Sequence, residues 1–558
     1  MTHQNRILIK NGTIIDGTGG TPFPGDILIQ DDRIKAIIPS TLPASGSSAA
    51  SDSSASSVSE ASSISFTDKV IDASGKVVAP GMIDSHSHAD LNLLKEPLQE
   101  FDLCQGVTTE VVGLCGLGFV PLKGQKLDEN MKYSAGLFGY DKELINDTFS
   151  SFDNYMKAVD GSGINVAVSA THNAARIAAN GFQKKISDFS QYHQKMEQIL
   201  EAAMESGCIG LSTGLSYYPC AYADFDELVF LAKALKKYDG TFLTHIRYPL
   251  QGLPDSALDE IIRVGEQSHA RIHILHYRTK YPYDYGHPER LLHKFEEANK
   301  NGCDFTLETL PYLSGSTFIH AILPGWTVDG GFDATIRNLK DPALRPRIIE
   351  EMQYLLGITA MGNGKPPRFG HVGNHAEYSG QFIRDVCAMR GQNLNDMLLD
   401  LLIESDLDMN YVGNEAEEDP EISRILMNDT MTLLMDPLYL CGSDSMPYGE
   451  YPHPRTYGCY AKMLRLSRER SIPLEKMIQK LTSCVADRLQ LSDVGRLENG
   501  KRADIMIFDP SKITDASTFK NPKQTAKGMD YVIVGGKISV KDGKPTGIMN
   551  GTVIKKIR

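Results

Sequence analysis

The sequence has no CxxC pair, a single tryptophan, and no apolar run approaching the roughly 18 residues a membrane span requires. Its nine cysteines, at 104, 115, 208, 220, 303, 387, 441, 459 and 484, are odd in number and widely spaced. That argues against a disulfide framework and for a reducing compartment. Positive charge is also in deficit: 57 Lys and Arg against 70 Asp and Glu leave a net charge of −13. Nucleic acid and membrane surfaces are therefore not expected partners. The opening MTHQNRILIKNG lacks a charged-then-apolar signal pattern, so the expectation is a cytoplasmic protein. What remains, 41% hydrophobic and 23% charged residues, is the composition of a globular protein. Its 558 residues exceed one ordinary domain.

The patterning changes along the chain. ILIKNGTIIDG and GDILIQDDRIKAIIP alternate in strand fashion between turn residues, which reads as a small β module in residues 1–78. Within it, residues 40–66 are dominated by Ser and Ala, too little apolar surface to offset chain entropy, and are expected to be a disordered insertion. From 79 to 484, short apolar runs end in polar or glycine-rich stretches and alternate with helical segments such as SQYHQKMEQILEAAMESG. Eight such runs predict a (β/α)₈ barrel, with an excursion at about 318–437 between the seventh and eighth. Residues 485–558 return to strand character in IMIFDP and YVIVGGKISV. The expected architecture is an α/β chain: a TIM-like barrel set into a small β-sandwich built from both chain ends.

Barrel chemistry gathers at the C-terminal ends of the strands. The first run ends in His86-Ser87-His88, and the second, VVGLCGLG, ends at Cys115. The fifth ends in Thr244-His245, the sixth in Leu275-His276 and the eighth in Ser443-Asp444. Period two on a strand places His86 and His88 on one face. A lone cysteine at the end of an apolar run is ordinarily a core residue. Here it shares a rim with four histidines and an acid. Imidazole and thiolate suit a zinc-type ion, whereas magnesium prefers oxygen. His172, at the third strand end, is expected to play a supporting or structural role.

The motifs GMIDSHSHAD, GVTTEVVGLCG, LSTGLSYYP, LTHIR, ETLPYLSGST, GSDSMPYGEYPHPRTYG and GRLENGKRADIMIFDP make the resemblance specific. The chain resembles the amidohydrolase superfamily and, within it, the N-acyl-D-amino-acid deacylase (D-aminoacylase) branch. The glycine-flanked Cys115 and GSD followed by PHPR point to the branch, and the matches run in order from about 8 to 550. The resemblance implies one or two Zn²⁺ ions. Cys115, His245 and His276 would hold the tighter one, His86 and His88 the second, with Cys115 able to bridge. It implies Asp444 as general acid/base, Arg455 gripping the substrate carboxylate, and Ser316 with a tyrosine of the Tyr217/Tyr218 pair touching substrate. The implied substrate is a small N-acyl amino acid.

Three positions depart from the branch pattern. Leu310-Pro311-Tyr312 stands where Tyr-Pro-Tyr is usual, Tyr248-Pro249 follows Arg247 where a carboxylate is common, and Arg278 replaces a lysine. A cyclic-amide hydrolase is the alternative activity, opposed by the lack of a bridging lysine at any strand end. A catalytically dead scaffold would have lost ligands, and here they remain. Sequence does not decide between a monomer and a homo-oligomer.

Overall fold

The computed structural model describes residues 5–40, 69–249, 253, 255–358, 367–413 and 419–556. The Ser-rich stretch therefore lies outside the described residues apart from Ser40. The fold is α/β. Eight parallel strands carry the site: β1 (Met82–Asp84), β2 (Val107–Val112), β3 (Asn165–Val168), β4 (Gly210–Gly214), β5 (Thr241–His245), β6 (Arg271–Ile274), β7 (Asp304–Thr309) and β8 (Tyr439–Cys441). Strands β1 to β3 pair in sequence order, and Ala170–Thr171, one residue past β3, pairs with β4. The order then continues β4-β5-β6-β7-β8. Past their C-terminal ends β1 and β8 approach through a parallel bridge between Ser87 and Ser445.

Both faces of these strands are covered, so polar as well as apolar residues in them are buried. Every residue of β2, β3 and β4 is buried. Amphipathic helices such as Phe189–Ser206 and Phe225–Lys236 cover the outside, each capped by an aspartate, Asp188 or Asp224, whose side chain accepts a backbone N–H of the first turn.

Strands from both chain ends share one nine-stranded sheet. Arg6–Ile14 pairs with Phe23–Gln30 on one side and with Lys69–Asp72 and Val77–Pro80 on the other, and Ile505–Phe508 joins Val77–Pro80. Between β7 and β8 the chain builds a three-stranded antiparallel sheet from Ser316–Phe318, Arg368–Val372 and Met409–Val412. The helix Pro420–Met435 then returns to pack on β7 and β8.

Candidate metal centre and active site

Strand ends from five of the eight strands bring their donors together. Cys115 Sγ lies 3.4 Å from His86 Nε2, 3.6 Å from His245 Nδ1 and 3.4 Å from His276 Nε2, and the last two nitrogens are 3.0 Å apart. Three donor trios are compact enough to hold an ion: His86, His88 and Cys115; Cys115, His245 and His276; His86, His276 and Asp444. Donors bonded at ~2.0–2.3 Å in a tetrahedral shell lie about 3.3–3.6 Å apart, so this spacing fits a zinc-type ion. Cys115 is the member common to the first two trios. Charge state agrees for two histidines. Burial holds His276 down to about 4, and burial with the neighbouring His276 holds His245 well below its ordinary value. Both are neutral imidazoles at pH 7, the form that binds a cation. Burial pushes the Cys115 thiol up to about 11; only a nearby cation makes its thiolate the stable form.

The backbone is strained where the donors sit. Cys115, His276 and Asp444 have φ of 51°, 37° and 53°, the left-handed region non-glycine residues avoid. Each costs ~1–3 kcal/mol, a price usually met at functional sites. Glycine makes the close approach possible: a Cβ on Gly214 would stand 1.9 Å from the Cys115 carbonyl oxygen. Asn173 N–H, at the start of the helix after β3, donates to the Gly116 carbonyl at 3.0 Å and fixes the same turn.

Asp444 is ionised. Burial opposes its charge, but Arg455 and His86 outweigh burial and hold the carboxyl well below the ordinary range. Its Oδ1 lies 3.3 Å from His88 Nε2 and 3.5 Å from His86 Nε2, and its Oδ2 accepts from Arg455 at 2.8 Å. Asp84 anchors the neighbouring turn, accepting from the backbone N–H of His86 and Ser443 and from the Ser443 hydroxyl.

A cavity of about 160 Å³ opens on this centre, lined by His88, Tyr217, His245, His276, Asp444 and Arg455 among others. A larger cavity of about 920 Å³, bounded by Lys236, Asp487 and Arg496, contains none of these groups. Ser316 lines the smaller cavity, but its hydroxyl donates to the Tyr411 carbonyl at 2.7 Å. Of the tyrosine pair, Tyr217 packs on His245 and faces the cavity. Tyr218 does not; its ring packs on Tyr222 and over Gly325, a correction to its place in the expected site. The glycine at 325 offers Tyr218 its space. His172 touches no donor of the centre. Its nitrogens meet Thr213 Oγ1 and Glu227 Oε1, each at 2.9 Å.

One residue the sequence reading passed over is Glu308 on β7. Fully buried, it lies 2.5 Å from His86 Nδ1, 3.2 Å from His273 Nε2 and 2.6 Å from Ser85 Oγ, and accepts from His276 N–H at 3.3 Å. A carboxylate on the far nitrogen of a metal-binding histidine fixes its tautomer and ring plane. The available signal was the alternation in DFTLET, which places Thr306 and Glu308 on one face, opposite Phe305 and Leu307.

Residues 69–540 match the amidohydrolase family model. The chain belongs to the amidohydrolase family. It is 28% identical to D-aminoacylase of Alcaligenes xylosoxydans xylosoxydans, over 99% of this chain and 97% of that one. It is equally identical to the N-acyl-D-glutamate deacylase of the same organism, over 96% and 94% of the two chains. Among solved structures it resembles N-acyl-D-glutamate deacylase from Bordetella bronchiseptica, complexed with zinc and a phosphonate mimic of the tetrahedral intermediate. The TM-score is 0.76 and the identity 26%, over 98% of this chain and 99% of that one.

Proposed function

We propose that the chain is a zinc-dependent hydrolase that cleaves the amide bond of N-acyl-D-amino acids to a carboxylate and a free amino acid. The observation that carries this reading is the cluster of buried Cys115 and His86 with half-buried His245 and His276, opening into a cavity that also holds the Asp444–Arg455 pair. Cys115 would take the bridging role that a carboxylated lysine takes in cyclic-amide hydrolases, and no strand end offers such a lysine. Cys115, His245 and His276 would hold one ion, with His86 and His88 offering a second position. An ion there supplies Lewis acidity, polarising the amide carbonyl and lowering the pKa of a water toward ~7.

The chain's own residues do the rest. Asp444, ionised beside the histidines, takes a proton from the attacking water and hands it to the leaving amine. Arg455 carries a buried Nε with no partner among the described residues. That unused donor fits a carboxylate on the substrate, as guanidinium geometry favours. Tyr217 walls the cavity beside His245, with its hydroxyl tied to Thr317 Oγ1 at 3.1 Å. The small cavity suits a small acyl group and excludes bulk water from the reacting bond.

For the fold, we read β1 to β8 as a closed barrel, supported by the Ser87–Ser445 bridge, and the end-built sheet as folded over its own apolar face. Ile7, Ile27, Ile505 and Ile533 from four of its strands share one cluster. We place residues 79–484 in the barrel, with the excursion included, and both ends in the sandwich. No helix among the described residues is long and apolar enough to cross a membrane, and all nine cysteines are free, which supports a cytoplasmic setting. The test is a panel of N-acetyl-D- and N-acetyl-L-amino acids beside hydantoins, with zinc measured on the same sample. Turnover confined to the cyclic compounds refutes the reading.

A further inference from the structure

The segment between Asp444 and Arg455 is tied to the centre at both ends, and its middle reaches away. Tyr448 and Glu450 meet His371, and Tyr448 also meets Asp408, both from the excursion. Tyr448 Oη lies 3.1 Å from His371 Nε2 and 3.0 Å from Asp408 Oδ2, and His371 Nε2 lies 3.3 Å from the same Oδ2. His371 Nδ1 meets Glu450 Oε2 at 2.6 Å, and Ser379 Oγ donates to that oxygen at 3.0 Å. Tyr451 N–H donates to the Gly370 carbonyl at 3.0 Å, so backbone pairing reinforces the contact.

Local sequence builds this join on both sides. The register between Arg368–Val372 and Met409–Val412 breaks between Phe369 and His371. Such a bulge re-aims the following side chain, and a Cβ on Gly370 would meet Asn410 Oδ1 at 2.2 Å. On the other side of the join, Gly449 has φ +102°, and a Cβ there would come 2.9 Å from the His371 Cβ. The Tyr448 ring packs edge-on against His371 and covers Gly139, two residues after the cavity-lining Leu137. His371 is largely buried, whereas Glu450 is half exposed, so screening leaves the Asp408 and Tyr448 contacts as the stronger ones.

The excursion sheet clasped here is the one that lends Ser316, Thr317 and Tyr411 to the wall of the active-site cavity. We propose that His371, held by Tyr448 and Asp408, is a positioning residue that fastens this wall over the centre and thereby sets substrate affinity. It touches no reacting atom, so its loss should loosen the wall while leaving the ion's donors and Asp444 in place. The kinetic part rests on the deacylase reading; the mechanical part does not.

The test uses the full-length, zinc-loaded protein with His371→Gln and Tyr448→Phe, the second a minimal change that removes one hydroxyl. Kinetics on an N-acyl-D-amino acid and peptide-level hydrogen exchange are measured together. The expected result is a KM raised tenfold or more in both variants with kcat within threefold. Exchange should be faster in 409–412 and 445–454 and unchanged in 241–245. An unchanged KM in both variants overturns the proposal, as does faster exchange across the whole chain, which marks general destabilisation. If the parent shows no deacylase turnover, the functional reading fails separately. Exchange alone then decides the clasp: locally faster exchange in the two segments supports it, and unchanged exchange there overturns it.

Discussion

Replacing Glu308 should weaken the metal centre from behind. The carboxylate serves His86 Nδ1, His273 Nε2, Ser85 Oγ and the backbone N–H of His276, with no exposure to solvent. Two of those partners belong to the proposed metal cluster. In Glu308→Ala the Ser85 hydroxyl keeps the Cys441 carbonyl at 3.0 Å, and His273 keeps Thr306 through its other nitrogen. His86 Nδ1 and the His276 N–H lose their partner. Breaking one side of a buried charged network costs on the order of 3–5 kcal/mol of stability. Losing the carboxylate behind a ligating histidine costs a ten- to hundredfold loss of metal affinity, or about 1.4–2.7 kcal/mol. Glu308→Gln keeps the shape and one acceptor and should fall in the lower half of both ranges. The assays are zinc competition against a chromophoric chelator and urea unfolding of the metal-free protein. Zinc affinity within threefold of the parent in both variants, with stability reduced, would refute the reasoning and leave Glu308 a packing residue.

Other expectations follow from the same geometry. Cys115→Ala should abolish tight zinc binding while circular dichroism stays native; a variant retaining both zinc and activity would restore the cysteine to an ordinary core residue. Gly214→Ala forces a Cβ to within 1.9 Å of the Cys115 carbonyl, so zinc content and activity should fall together although no donor has changed. Acid stability should report Glu227. Burial raises its pKa, but His172 and Arg176 outweigh that and hold it at about 2, below its ordinary 4.5. A depressed carboxyl contributes stability above its unfolded value and loses it as pH falls from 4.5 toward 2. In Glu227→Gln, urea midpoints measured across that window should lose this component of the slope.

The grouping of the candidate donors was legible because each stands at the end of an apolar run, where a parallel strand delivers its last side chains. His86, Cys115, His245, His276 and Asp444 need only that rule and the order of the strands. Glu308 was not, because it lies inside a strand, where an acid looks like an isolated exception until the facing His86 and His273 are known. Arg455 is subtler. Its place beside the centre is what the resemblance carried by the PHPR motif implies, but its 2.8 Å pairing with Asp444 depends on the fold of the ten residues between them. Tyr217 and Tyr218 could not be separated without the turn that follows β4. The joining of Tyr448 to His371 and Asp408 spans 77 and 40 residues of sequence and leaves no local pattern. Likewise, alternation marked both chain ends as β structure, but their union in one sheet rests on the pairing of Val77–Pro80 with Ile505–Phe508.

The most direct test of the whole account is the response of hydrolysis to metal. The purified protein is stripped by exhaustive chelation, assayed on an N-acetyl-D-amino acid, reloaded with Zn²⁺ and assayed again. The account predicts loss of at least 95% of turnover on stripping and recovery of most of it on reloading, an order-of-magnitude expectation for an ion that activates the attacking water. Full turnover in protein shown to contain no metal would contradict it.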